Sequence, residues 1–300
     1  MNRLFLGSAA IIVLVMGGSA LAADMPVKAP ILKAPPPVVS EWTSCYGGIN
    51  GGWKWGRFGD SAEVPLTTGT IPGVGVATAP ADRINLGRAN ADSGAFGGQV
   101  GCRWETPEHW VFGVEGDFDA TRLHRTAVLL APSGIGTTFV PGDIFRNRMR
   151  WESSLRFTVG HTWDRFLLYA TGGIAFAEVS MDANFIPSLG VFFNGAPGLY
   201  PPSAGSQSKV LAGATFGFGT AYALSKNWEL GAEYRYTTYQ KGDFNLGAVA
   251  GICGVPVAAA ATVACLNQNA TGHKDLQTSE LLVKLNYKFD WAAPVVVAKH

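Results

Sequence analysis

The chain has 300 residues, a formal net charge of +1 and only 15% charged residues. A typical soluble domain carries roughly 25% charged residues, so much of this chain is not built to face water, and its near-neutral balance excludes a strongly basic nucleic-acid binder. Its 38 glycines exceed the usual share of roughly 7%, which suits closely packed strands.

Residues 1–22 read as an export signal. Arg3 gives the charged start, Leu4 to Met16 the apolar run, and Ala20-Leu21-Ala22 the small-residue cleavage motif. That run falls short of the ~20 residues of a spanning helix, and no later stretch reaches that length. Residues 23–41 contain Pro35-Pro36-Pro37 with Lys28 and Lys33, the composition of an extended periplasmic linker without a core.

From Trp42 to Phe289 the period becomes two, the signature of strands. Eight segments show it. In Trp42 to Trp55, Ile49, Trp53 and Trp55 oppose Tyr46, Asn50 and Lys54; in Ser93 to Trp104, Phe96, Val100 and Trp104 oppose Gln99 and Arg103. In Trp110 to Ala120, Phe112, Val114 and Phe118 oppose Glu115, Asp117 and Asp119; in Met149 to His161, Leu155, Phe157 and Val159 oppose Glu152 and Arg156. Phe166 to Val179 sets Leu168, Ile174 and Phe176 against Tyr169 and Thr171, and Lys209 to Leu224 sets Phe216 and Phe218 against small residues. Trp228 to Tyr239 sets Leu230 and Tyr234 against Glu229, Glu233 and Arg235, and Ser279 to Phe289 sets Leu281, Val283 and Leu285 against Glu280, Lys284 and Asn286.

Connections alternate strictly in length. Those at 105–109, 162–165 and 225–227 are short, whereas 56–92, 121–148, 180–208 and 240–278 are long and rich in Gly, Pro, Ser and Ala. An even-stranded membrane barrel sorts its loops this way, with long ones outside and short turns in the periplasm. The apolar face must then meet hydrocarbon and the ionisable face the lumen. Trp104, Trp110, Trp163, Trp228, Tyr287 and Phe289 cluster beside the short turns, where an interfacial aromatic girdle belongs. The expectation is an all-β, eight-stranded antiparallel up-and-down transmembrane β-barrel over 42–289, with a C-terminal tail at 290–300.

Eight strands leave an interior just wide enough for side chains. Asn50, Gln99, Arg103, Glu115, Asp117, Arg156, Glu233, Arg235 and Lys284 are expected to form its polar network, with Glu115 facing Arg156 and Glu233 facing Lys284. Cys45 and Cys102 fall at the same rim of neighbouring strands, and Cys253 and Cys265 lie in the last long connection. Both pairs are disulfide candidates in an oxidising compartment, the alternative being four buried free thiols. No cofactor, metal or catalytic set emerges. His109, His124, His161, His273 and His300 lack metal-ligand spacing, and Ser153 and His161 fall on the lipid face.

Gly47-Gly48-Ile49-Asn50-Gly51-Gly52, Gly97-Gly98-Gln99-Val100-Gly101, Val111-Phe112-Gly113-Val114-Glu115, Leu167 to Gly173, Glu233-Tyr234-Arg235-Tyr236 and Asn286-Tyr287-Lys288-Phe289 together resemble the small outer-membrane β-barrels of alphaproteobacteria, the opacity-type surface-antigen or "porin family" group. The resemblance implies an outer-membrane location, insertion by the outer-membrane assembly machinery, and a surface or envelope role. Ala221 stands where that group usually carries an inward glutamate, which implies one interior carboxylate fewer. The expected partners are outer-membrane lipid and lipopolysaccharide, the assembly machinery, and host or environmental ligands at the loops, with no nucleic acid. Two other roles stay open, a narrow diffusion pore and a loop-borne binder of haem or host molecules.

Overall fold

The computed structural model describes residues 42–131, 138–191, 197–254 and 264–289. The expected export signal at 1–22, the Pro-rich segment at 23–41 and the tail at 290–300 lie outside them. Thirteen strands follow in chain order: β1 Ser44–Val64, β2 Thr67–Ile71, β3 Gly75–Ala79, β4 Asp82–Glu105, β5 Trp110–Val128, β6 Ile144–Trp163, β7 Phe166–Phe185, β8 Ser188–Val191, β9 Pro197–Tyr200, β10 Ser203–Ala223, β11 Trp228–Tyr239, β12 Gly242–Gly254 and β13 Ala264–Phe289.

Eight of them form a ring. β1, β4, β5, β6, β7, β10, β11 and β13 pair with their neighbours in that order, all antiparallel, and β13 returns to β1 from Cys45↔Phe289 to Glu63↔Thr271. Closure leaves no lipid-facing sheet edge, and backbone groups in hydrocarbon require that. The turns at the lower rim are tight, with His109 at φ 66° and Asp164 at φ 53°; both residue types tolerate the left-handed region better than most.

The upper half differs from the sequence expectation. The four long connections are largely strand, because the ring strands run on past the expected ends: β1 to Val64, β4 from Asp82, β5 to Val128 and β13 from Ala264. At ~3.3 Å per residue β13 is roughly 85 Å long, while a membrane strand needs only about 9–11 residues. β12 pairs with β13 from Gly242↔Lys274 to Gly254↔Ala264, directly above the β11 ladder. Two short hairpins, β2–β3 and β8–β9, crown the same end.

The two faces of the wall exchange chemistry along each long strand. On β1, Ile49, Trp53 and Trp55 point out and Asn50 and Lys54 are buried inside; higher up Arg57 points out and Phe58, Ala62 and Val64 are buried. On β13, Leu281, Val283 and Tyr287 point out around buried Glu280, Lys284 and Asn286, whereas Leu276 and Ala270 are buried higher up. Outside the ring, hydrocarbon therefore gives way to water between Trp55 and Arg57. Register shifts at Ala120/Leu123 and Met149/Glu152 fall near this level; in β6 the buried parity changes there from Met149 to Glu152, while β5 keeps its alternation.

Glycines make room for the inward side chains. A Cβ on Gly97 would lie 2.2 Å from the Phe118 carbonyl oxygen and 2.1 Å from the Asp119 carboxylate, whereas one on outward Gly94 meets nothing closer than 3.9 Å. Gly97→Val is expected to abolish the compact, heat-modifiable band of the folded barrel in gel electrophoresis, and Gly94→Val to preserve it. Equal folding of the two variants would contradict this packing.

Candidate functional site

The lumen is filled at three levels. At the floor, Trp42 is 1% exposed and packs with Val111, Leu167, Tyr169, Ala221 and Ala223. Its backbone N–H donates to Glu105 at 3.3 Å, and the Lys288 ammonium lies 5.3 Å from its ring centroid. Trp42 was expected to open the first strand; it instead plugs the mouth beside the short turns. Ala221 is small and apolar because this tryptophan occupies the space beside it.

The middle level is ionic. Arg156 donates to Glu115 at 2.5 Å, pairs with Asp117 and lies 3.4 Å from Glu233. Lys284 reaches Glu115 at 2.5 Å and Glu233 at 3.1 Å. Arg235 meets Glu280 at 2.9 Å, Glu233 at 3.1 Å, Asp117 at 3.2 Å and Asp119 at 3.4 Å. Below them Arg103 pairs with Glu229 at 3.0 Å and stacks over Tyr46 at 4.2 Å. Asn50 donates to Gln99 and to Asp119, both at 2.9 Å, and Gln99 donates to Asn286 at 2.5 Å. All nine network residues named from the sequence are thus buried and joined in one cluster.

Several partners escaped that list. Lys54, fully buried, holds Glu152 at 2.5 Å and Glu280 at 2.9 Å. Tyr46 donates to Glu115 at 2.7 Å and Tyr169 to Glu233 at 3.0 Å. Each sits at an inward position of its strand, so the period-two pattern was sufficient to find them. Desolvating a charge costs several kcal/mol unless it is paired and hydrogen-bonded, and here each cation is held by at least one carboxylate.

The top level is apolar. Phe58, Leu123, Phe139, Phe145, Met149, Phe185, Phe244 and Leu276 form one buried cluster inside the upper ring. One polar chain crosses it: Arg125 meets Asp60 at 2.9 Å, Asn147 donates to Asp60 at 2.7 Å, and Lys274 donates to Asn147 at 2.7 Å. Burial pushes the Lys274 ammonium down to about 7 against the pull of Asp60. The expectation of long loop connections here is therefore corrected to strands that enclose a second core.

Two disulfides brace the structure, Cys45–Cys102 and Cys253–Cys265. Each joins directly opposed residues, in the β1–β4 and β12–β13 ladders respectively. No cysteine is free. Among the described residues no group of three His, Cys, Asp or Glu could hold a metal ion. His161 packs on the outer face, 4.6 Å from Trp163 and 5.3 Å from Trp110. Ser154 faces inward and donates to Asp117 at 2.8 Å, so the two sit on opposite sides of the wall. At the upper rim His273 lies between Asp243 at 2.7 Å and Glu63 at 3.0 Å.

The family comparison agrees with this architecture. The family model described as outer membrane protein beta-barrel domain matches residues 29–289. The 31 kDa outer-membrane immunogenic protein of Brucella melitensis is 30% identical over 74% of this chain and 82% of its own length. The 22 kDa outer membrane protein of Rhizobium leguminosarum is 28% identical over 55% of this chain and 64% of its own length. Among solved structures, the outer membrane protein OprG of Pseudomonas aeruginosa aligns over 84% of this chain and 99% of its own, at 12% identity and a TM-score of 0.39.

Arg235→Met would leave Asp117, Asp119, Glu233 and Glu280 short of a shared cation. The expected loss is about 3–5 kcal/mol, the cost of breaking a buried pair, measured by urea unfolding in lipid vesicles; a loss below about 1 kcal/mol would contradict a central role for this arginine. A second expectation concerns pH at the rim. Partial burial pushes the His273 imidazole down, but hydrogen bonds to Asp243 and Glu63 outweigh it, so its pKa is raised. A raised pKa means the clasp is fully formed below the ordinary histidine value and lost as pH rises through the folded one. Protection of β12 amides, with exchange corrected for its base-catalysed intrinsic rate, is therefore expected to be greater near pH 6 than near pH 8, and His273→Gln to abolish that difference in protection.

Proposed function

We propose, from the premise that this chain belongs to the outer membrane protein β-barrel domain family, that it is a closed, non-enzymatic structural and surface protein of the outer membrane. The observation that carries this reading is the filled lumen. A solute moving along the axis meets Trp42, then a lattice of ion pairs, then an apolar cluster. A diffusion pore needs a continuous wet path, and eight strands already leave little room beyond side chains.

The aromatic girdle of Trp104, Trp110, Trp163 and Trp228, all exposed on the outer wall, marks one membrane interface beside the short turns. That rim faces the periplasm in this reading, along with the Pro-rich segment and the C-terminal tail. The long upper strands then stand outside the cell, where β12 and the two small hairpins form the contact surface for environmental or host ligands. Outer-membrane lipid and lipopolysaccharide surround the wall, and the assembly machinery inserts it.

Purified, refolded protein in a planar bilayer is expected to show no steady channel steps, whereas a large ohmic conductance would favour the pore. Orientation is tested separately. Protease added to intact cells should cut at the upper end, such as the segment after Val128, and spare the turn at 225–227. Cleavage confined to the short turns would reverse the topology.

A further inference from the structure

The outer wall carries a groove just above the apolar belt. The β4–β5 ladder stops at Ala95↔Thr121. Above that pair β4 follows β1 while β5, after its bulge at Ala120/Leu123, follows β6. The two strands splay, and a groove of about 820 Å³ opens between them. Its base is apolar, with Gly94, Ala95, Phe96 and Ala120 among the lining residues. Its upper margin is basic: Arg122, His124, Arg148 and Arg150.

The charges are poorly compensated. Arg148 is held by Asp182 of β7 at 2.5 Å, and the His124 ring nitrogen lies 3.0 Å from the Arg122 carbonyl oxygen. Arg122 and Arg150 are exposed and have no ion-pair partner among the described residues. Glu178 of β7 lies opposite the bulge at Arg150 and Trp151 and pairs with neither arginine. The patch is cationic on balance.

Its height is set by its neighbours. Phe118 and Trp151, stacked at 5.5 Å, and exposed Phe96 lie directly below, at the top of the hydrocarbon-facing surface. Ladders cannot end inside hydrocarbon without stranding backbone groups, so the splay belongs at headgroup depth. An occupant must therefore present anionic groups to the arginines and an acyl chain to the apolar base, because guanidinium forks match phosphate oxygens in pairs.

We propose that this groove is a binding site for a phosphate-bearing, acylated lipid of the outer leaflet, the diphosphoryl headgroup of lipopolysaccharide, with one acyl chain descending past Phe96 and Phe118. The inference goes beyond the closed-barrel reading by assigning residues to one lipid. Binding to the purified protein does not depend on the orientation in cells, so failure of one test leaves the other standing.

The full-length protein in detergent is titrated with diphosphoryl lipid A and bound lipid is counted by native mass spectrometry, with dephosphorylated lipid A and phosphatidylcholine as comparison probes. Expected results are one retained diphosphoryl lipid per barrel, at least about tenfold weaker retention in the double variant Arg122→Gln/Arg150→Gln, and retention closer to wild type when both become Lys. Arg57→Gln, an exposed arginine of β1 outside the groove, is expected to leave binding unchanged. A preserved heat-modifiable band verifies folding of each variant. Equal retention of dephosphorylated lipid, an unaffected double Gln variant, or an equal loss in Arg57→Gln would each overturn the site.

Discussion

Hydrocarbon offers a backbone amide no partner, and each unsatisfied group there costs several kcal/mol. The β1–β13 ladder answers that constraint: without it, eight strands are an open sheet with two exposed edges, and with it every strand has two neighbours. Ring closure then fixes everything inside. A ring this narrow has no room for water beside its side chains, so inward groups must be small, apolar or paired with one another.

The chain uses all three solutions at different heights. Where hydrocarbon surrounds the ring, the outside takes the apolar residues and the inside takes Lys54, Glu115, Arg156, Glu233, Arg235 and Lys284. Such a lattice contributes less net stability than its many contacts suggest, because desolvation offsets most of the Coulomb gain. Its value lies in register. A slip of one residue in any ladder would turn charges into lipid and Leu or Phe into the lattice, so the lattice penalises every misaligned barrel. Where water surrounds the ring, the roles invert, and Phe58, Phe145, Phe244 and Leu276 form a core held by the hydrophobic effect. The protein is thus a membrane barrel below and a water-facing core above, built on the same strands.

The lower barrel was legible in the sequence because its two faces differ so strongly: Trp53, Phe96, Phe157 and Val283 against Lys54, Gln99, Arg156 and Lys284. The upper half was not. There the outward residues are Arg57, Ser61 and Glu63 and the inward ones Phe58, Ala62 and Val64, a weaker contrast diluted with glycine and interrupted by a register shift in β6 that changes which parity faces in. Such stretches carry the composition of loops. Trp42 was misplaced for a different reason, since an aromatic just ahead of a period-two run reads as the head of the strand unless the mouth it can fill is known. The basic groove left no local signal either, because Arg122 and Arg150 come together only through the β5–β6 register.

The Cys45–Cys102 bond has a mechanical consequence. A pull on the chain before Trp42 reaches β1 at its first ladder pair, and a strand loaded from its end peels away one hydrogen bond at a time. The disulfide sits at the next pair, one residue beyond Ser44↔Arg103, and hands part of the load to β4, so peeling gives way to shear of two strands against the rest of the ring, in which many bonds must fail together. Anything tethered to the N-terminal side of this barrel is thereby anchored to a pair of staves.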